Sequence, residues 1–277
     1  MSNRTKLSRR ILAVALAGVG VATSTATAHE FWIMPDAFRV TVQQLVRVQM
    51  FNGERLAGNT VPRNNAMVER FEVVDQHRTT QVVGPHDGTT GFVRPPNTGS
   101  GVLVYESREF TNNLPAERFE AYLTEEGLTN ALASRRDRGE SAKLGREVYI
   151  RCAKSILSVR DPSALGESDP GPTDRIVGLP LEIVLERDQR LTDHGPHTVV
   201  RVLLRGEPID GLPVVAVRAD KPEHLLRATT DSGGMARFDG ATPGVWLITA
   251  LHIERTEERS DTDWKSYWGS LSFERTE

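Results

Sequence analysis

Thr230-Asp231-Ser232-Gly233-Gly234-Met235-Ala236-Arg237-Phe238, followed four residues later by Pro243-Gly244-Val245-Trp246-Leu247-Ile248-Thr249-Ala250, is the stretch whose reading decides the fold. The Asp-Ser-Gly-Gly cluster is turn chemistry, and the apolar and β-branched run after it is strand chemistry. Working outward, Val199 to Leu204 and Leu212 to Val217 are strand-like runs joined by the turn-rich segment Arg205 to Gly211. A further strand is predicted at Leu179-Pro180-Leu181-Glu182-Ile183-Val184. The same grammar holds from Phe38 to Tyr105, with runs such as Val46 to Phe51 and Val102 to Tyr105 between Gly, Pro and Asn clusters. These runs predict antiparallel strands and a mostly β chain.

One stretch departs from that period. After Asn112-Asn113-Leu114-Pro115, Phe119, Tyr122 and Leu123 fall at helical spacing, Gly127 interrupts, and Leu128, Ala131 and Leu132 resume it, which predicts one broken helix or two short ones. Asp161 to Thr173, rich in Pro, Gly, Ser and Asp, reads as a linker. The turn-then-strand pattern of the last third resembles prealbumin-like or Cna-B-like sandwich modules, a likeness that speaks for fold and not for activity. The expected organisation is two β-sandwich domains, over residues 29–160 and 179–277, with a short helical insertion near 114–136 and a linker over 161–178.

The first ten residues carry Arg4, Lys6, Arg9 and Arg10 without an acid, and Ile11 to Ala22 is an unbroken run of apolar and small residues that leads to Ala26-Thr27-Ala28. This is a cleavable secretory signal peptide over residues 1–28, with His29 as the mature first residue and the periplasm as the expected compartment. The run is short of the ~20 apolar residues that a membrane anchor needs. Ser8-Arg9-Arg10-Ile11-Leu12 is a partial twin-arginine signal, so the export route stays open. Cleavage removes four positive charges from a net of −3, leaving −7, a poor balance for binding nucleic acid. The single cysteine, Cys152, has no partner for an internal disulfide and reads as a buried, inert thiol among Tyr149, Ile150 and Ile156. Arg135, Arg136, Arg138, Lys143 and Arg146 form a basic stretch with interleaved acids, read as solvated helix ends.

A mature amino-terminal histidine supplies two nitrogens from one residue, its α-amine and its imidazole, which close a chelate ring on a divalent transition metal. The amine has an ordinary pKa of about 7.7–8.0, so a metal displaces its proton at small cost near neutrality. Candidates for further ligands are Glu30, Asp36, His77, His86, the pair His194 and His197, His224 and His252. His252 follows Trp246, Ile248 and Ala250 on one strand face, at the rim of an apolar surface. His194-Gly195-Pro196-His197 reads as a turn, and His77 and His86 as solvated loop residues. Nitrogen-rich ligation suits Ni²⁺ or Cu²⁺ better than Mg²⁺ or Ca²⁺. Ser232-Gly233-Gly234 has no helix after it to complete a phosphate site, and no nucleophile elbow or dinucleotide fingerprint is present.

Several segments together resemble one periplasmic family: His29-Glu30-Phe31-Trp32-Ile33, the helical stretch with Leu114-Pro115, Tyr122-Leu123 and Glu125-Glu126-Gly127-Leu128, Arg146-Glu147 with Ala153-Lys154, Gly178 to Glu182, Trp246-Leu247-Ile248 with His252, and Asp263-Trp264 with Ser270-Leu271 and Phe273. It is the domain-of-unknown-function group described as the nickel-uptake substrate-specific, periplasmic component. The resemblance implies a metal-binding accessory protein of the cell envelope, tied to nickel or cobalt import or, in some relatives, to copper, with a membrane metal transporter as partner. It places the family's amino-terminal histidine on His29 and the histidine after the tryptophan strand on His252. Members often carry Asp where this chain has Glu30. The expected metal ligands are therefore His29, His252 and Glu30, in a protein that is not an enzyme. Two other functions compete: a copper oxidase or oxygenase with an amino-terminal histidine site, and a structural β-sandwich module without a metal.

Overall fold

A computed structural model describes residues 30–163, 173–186, 197–257 and 260–275. The expected signal peptide, His29, residues 164–172 of the expected linker and His194 lie outside the described residues. In the first half the strands are β1 (Glu30–Pro35), β2 (Arg39–Thr41), β3 (Val46–Glu54), β4 (Ala57–Thr60), β5 (Val68–Val74), β6 (Thr79–Gln81), β7 (Thr90–Val93), β8 (Gly99–Ser107) and β9 (Phe110–Leu114). Helices α1 (Ala116–Glu125) and α2 (Thr129–Asp137) follow, then the long strand β10 (Gly145–Arg160). The second half holds β11 (Leu181–Leu185), β12 (His197–Leu204), β13 (Glu207–Pro208), β14 (Pro213–Arg218), β15 (Lys221–Thr229), β16 (Met235–Asp239), β17 (Gly244–Arg255) and β18 (Trp264–Arg275).

The chain is mostly β, as its strand and turn chemistry predicts, and its sheets stack in three layers. The middle layer is a ten-stranded sheet in the order β15-β14-β17-β18-β10-β8-β5-β6, with β2 and β9 also paired to β10. One outer sheet is β1, β3, β4 and β7, and the other is β11, β12, β13 and β16. Successive side chains on a strand point to opposite faces, so a middle-layer strand must be apolar on both. In β8, Val102 and Val104 enter one core while Leu103 and Tyr105 enter the other. In β17, Trp246, Ile248 and Ala250 face the β11–β12 sheet, and Leu247 packs with Trp32 of β1 on the opposite side. Outer strands alternate instead. Val46, Val48 and Met50 of β3 are buried, while Arg47 between them is exposed. The two expected sandwiches thus share their middle layer, which is stitched across the midpoint of the chain by a parallel ladder from Glu147↔Trp264 to Ser155↔Ser272.

The turn that decides the fold is built as its residues dictate. Asp231 Oδ1 accepts the N–H groups of Gly233 and Met235, and Gly234 has φ +74° with a virtual Cβ only 2.6 Å from the Val202 carbonyl oxygen, so a side chain fits neither the backbone nor the space. The helical insertion is two helices broken at Gly127, φ +69°, and it buries Phe119, Tyr122 and Leu123 against Leu251 and Trp264. The basic stretch is not uniformly solvated, which corrects the expectation for two of its members. Arg135 is 1% exposed, lies over the Phe119 ring, and bonds Glu120 and the Lys143 carbonyl. Arg146 makes a two-pronged pair with Asp263 at 2.6 and 2.8 Å.

The described end of the expected linker is fastened down. Lys154 and Glu182, each 1% exposed, pair at 2.7 Å between the layers. Lys154 also donates to the Arg175 carbonyl, and Glu182 accepts the N–H groups of Val177, Gly178 and Leu179. Two segments that carry the family resemblance, Ala153-Lys154 and Gly178 to Glu182, therefore meet as one fully bonded ion pair.

Candidate functional site

The cleft beside Glu30 is where the fold brings uncompensated charge to the edge of a sheet. β1 pairs with β3 from Glu30↔Gly53 to Pro35↔Val48, so Glu30 stands at the start of an edge strand. Its Oε2 accepts the Arg55 N–H at 2.8 Å, and its Oε1 accepts the Thr249 hydroxyl at 3.4 Å. Arg55 and Leu56 form the tip of the β3–β4 hairpin with φ of 53° and 64°, a left-handed pair that costs energy for residues with side chains. The Glu30 carboxylate holds one end of that tip, and Leu56 packs against Trp32 and Leu247 at the other.

Across the cleft, Glu126 caps the C-terminal end of α1. The cleft encloses about 160 Å³ and is lined by Glu30, Phe31, Glu125, Glu126, Arg227 and Trp268, among others. Burial, followed by the Glu30, Glu125 and Glu54 carboxylates, pushes the Glu126 carboxyl up to about 7, against the opposing pull of Arg227. The helix C-terminus adds its own negative end to this crowding. Glu30 is raised by burial and by Glu54, and lowered by its bonds from Arg55 and Thr249. Among the described residues, no side-chain donor bonds Glu126. The arrangement is a small, partly buried acidic cleft with one carboxyl poised to lose a proton near neutrality.

Of the expected ligands, His29 lies outside the described residues, and the two that are described, Glu30 and His252, do not come together. His252 lies on the opposite face of β17 from Thr249 and therefore from Glu30. Its Nε2 is 3.6 Å from Glu254 Oε2, and its ring stacks on Tyr267 at 6.3 Å. Burial holds the imidazole below its ordinary pKa, although Glu254 opposes that shift. Glu254 is itself taken by Arg205 at 2.6 and 2.9 Å and by the Tyr267 hydroxyl at 3.2 Å. His252 thus sits at the rim of the apolar face, in a network already occupied by an arginine.

His77, His86 and His224 are exposed, and His77 lies in a turn whose N–H groups bond Asp75. Asp36 accepts from Arg47 on an exposed surface. Cys152 is buried, and burial pushes its thiol up to about 12, as expected of an inert core sulfur. Among the described residues, no group of three or more His, Cys, Asp or Glu side chains is arranged to hold a metal ion. Glu126 is the residue that sequence reading passes over. The only signal for it is an acid at a helix C-terminus, where its charge opposes the helix dipole.

Among the described residues, no helix is long and apolar enough to cross a membrane. No curated protein matches the sequence. Among solved structures, the chain is similar to the D0-D1 domain of intimin, at 12% identity over 88% of this chain and 97% of that one, with a TM-score of 0.22. It is also similar to the BSP domain of a biofilm associated protein, at 13% identity over 87% of this chain and 29% of that one, with a TM-score of 0.20. A Salmonella alpha-2-macroglobulin mutant matches at 12% identity over 94% of this chain and 16% of that one, with a TM-score of 0.23. A family model, the domain of unknown function DUF4198, matches residues 26–254, and the chain belongs to that family.

Proposed function

We propose that the mature chain is a non-catalytic transition-metal-binding protein of the periplasm, an accessory of nickel or cobalt uptake, which holds its metal through the amine and imidazole of His29. The observation that carries this reading is the acidic cleft at Glu30. A chain that begins at His29 would carry both nitrogens one residue, about 3.8 Å between Cα atoms, from Glu30. The neighbouring Glu126 carboxyl receives no side-chain donor among the described residues and is pushed up to about 7 by burial and then by other carboxylates, so a divalent cation would relieve their repulsion as it bound. Two nitrogens with one or two carboxylates suit Ni²⁺, Co²⁺ or Cu²⁺. Glu30 has bonds of its own to keep, so Glu126 is the better placed carboxylate ligand, and His252, on the other face of β17, stands outside the set.

The test is calorimetric titration of Ni²⁺, Co²⁺ and Cu²⁺ into protein that starts at His29, and into protein with one extra residue before it. The expected result is one-to-one binding that weakens at least about tenfold, or ~1.4 kcal/mol, in the extended form, with a further loss in Glu126→Gln. Equal binding in both forms overturns the amino-terminal site. Binding with turnover of a reductant would point instead to a redox-active copper centre.

A further inference from the structure

The cleft at Glu30 also holds one positive charge, and the way the fold spaces the two signs limits what can fill it. Arg227, Val215 and Thr249 stand directly opposite one another on β15, β14 and β17, so their side chains share one face of the middle sheet. Neighbouring strands lie about 4.8 Å apart, which puts the Arg227 Cα about 10 Å from that of Thr249. Thr249 donates to Glu30, and the half-buried Val215 lies between the two signs. Glu125 and Glu126, at the end of α1, line the same cleft as Glu30 and Arg227. Among the described residues Arg227 nevertheless makes no ion pair.

A guanidinium that shares a small cleft with three carboxylates gains from closing onto one of them, but here the sheet and the helix end hold them apart. Arg227 still acts across the gap, opposing the rise that burial and the other acids impose on Glu126. A bare divalent cation would answer the carboxylates and meet Arg227 as a like charge, and a bare anion would face the reverse. The space points the same way. The cleft's 160 Å³ equals the liquid volume of about five waters, more than a metal ion stripped of its water fills. The amine and imidazole of His29 with one carboxylate leave positions open on a transition metal. A small dicarboxylate that chelates the metal at those positions keeps its outer oxygens free to accept the N–H groups of Arg227.

We propose that the cleft takes its metal as a complex with a small dicarboxylate, whose outer oxygens are held by Arg227. This rests on the reading of the chain as a metal-binding protein. The test is equilibrium dialysis of labelled malonate against the full mature chain, with and without Ni²⁺, counting both solutes. The expected result is one malonate retained per chain, and only when Ni²⁺ is present. In Arg227→Gln the malonate affinity falls about tenfold or more, while Ni²⁺ alone binds at least as tightly as in wild type, because a repelling charge is gone. Arg227→Lys keeps that charge and loses the fork, so it holds malonate more weakly without any gain in Ni²⁺ affinity. Arg136→Gln, at an exposed position with the same charge change, leaves both affinities unchanged. Retention of Ni²⁺ without malonate, or of malonate equally in Arg227→Gln, overturns the complex and leaves the metal site standing. Retention of malonate without Ni²⁺ also overturns it, in favour of a plain anion site. Failure of the wild type to retain Ni²⁺, with malonate or without, ends both readings.

Discussion

Glu182 and Glu126 are both carboxylates withdrawn from water, and the molecule treats them in opposite ways. Glu182 meets Lys154 at 2.7 Å and accepts three backbone N–H groups, so every part of its charge is answered by a group the fold itself supplies. Glu126 faces other carboxylates and receives no donor among the described residues. Glu147 stands between them: it is 2% exposed, it pairs with no cation among the described residues, and it accepts from Tyr122 at 3.1 Å, from Asn112 at 3.4 Å and from the Ser266 hydroxyl. Burial raises its pKa and those three donors pull it back. The series separates architecture from function. A buried charge that is fully bonded fixes where layers sit, whereas one left unanswered at a cleft is destabilising unless something else binds there.

The sharpest way to break the comparison is to make Glu182 resemble Glu126. Lys154→Met leaves a buried carboxylate without its cation and should cost about 3–5 kcal/mol in denaturant unfolding. Lys154→Met combined with Glu182→Leu should recover much of that loss. Recovery would show that the pair specifies the interlayer contact more than it stabilises it.

The converse experiment removes the unanswered charge. The ordinary pKa of Glu126 is 4.5 and its folded pKa is about 7. Below pH 4.5 both folded and unfolded chains are protonated and the shift contributes nothing. Between 4.5 and 7 the folded chain keeps a proton that the unfolded chain has lost, so stability falls as pH rises, and the full penalty is present above 7. Glu126→Gln should therefore stabilise the metal-free protein by about 1–3 kcal/mol at pH 8 and leave it unchanged at pH 4. Thermal unfolding at the two pH values, in the presence of a chelator, measures the difference.

The smallest effect belongs to the intermediate case. Tyr122→Phe removes one of three donors from Glu147 while keeping the ring that stacks on Trp268 at 6.0 Å, and should cost about 1–2 kcal/mol. A loss as large as that of Lys154→Met would mean that the Glu147 network is no weaker than a full ion pair.

Much of the fold is legible from local sequence, and the parts that are not share one cause. Val102 to Tyr105 and Trp246 to Ala250 read as strands because they are apolar on both faces, and Phe119, Tyr122 and Leu123 read as a helix because their spacing survives burial. β10 and β18, at the centre of the middle sheet, are harder to see. Glu147, Lys154 and Ser155 in one, with Ser266, Ser270 and Ser272 in the other, are buried polar residues that break the apolar pattern on which a strand reading depends. The side-chain partners of Glu147, Lys154, Ser266 and Ser272 lie outside any short window of sequence, so local reading cannot reveal that these groups are satisfied, and the Ser155 and Ser270 hydroxyls have no partner among the described residues. The candidate site divides in the same way. Glu30 is visible because it follows His29, whereas Glu126 looks like any solvated acid at a helix end until the fold sets it across a cleft from β1.

The parallel ladder between β10 and β18 also sets an order of events. Its partners are more than a hundred residues apart, and β18 occupies the middle of the ten-stranded sheet, with β17 on one side and β10 on the other. Until residues 264–275 are available, neither neighbour has its full pairing, and the apolar faces on both sides of the middle layer have no continuous sheet to cover. Closing so long a loop is slow. The chain would therefore stay open and exposed along its centre until β18 was in place, and a version stopped at residue 260 would lose the strand that joins its two halves.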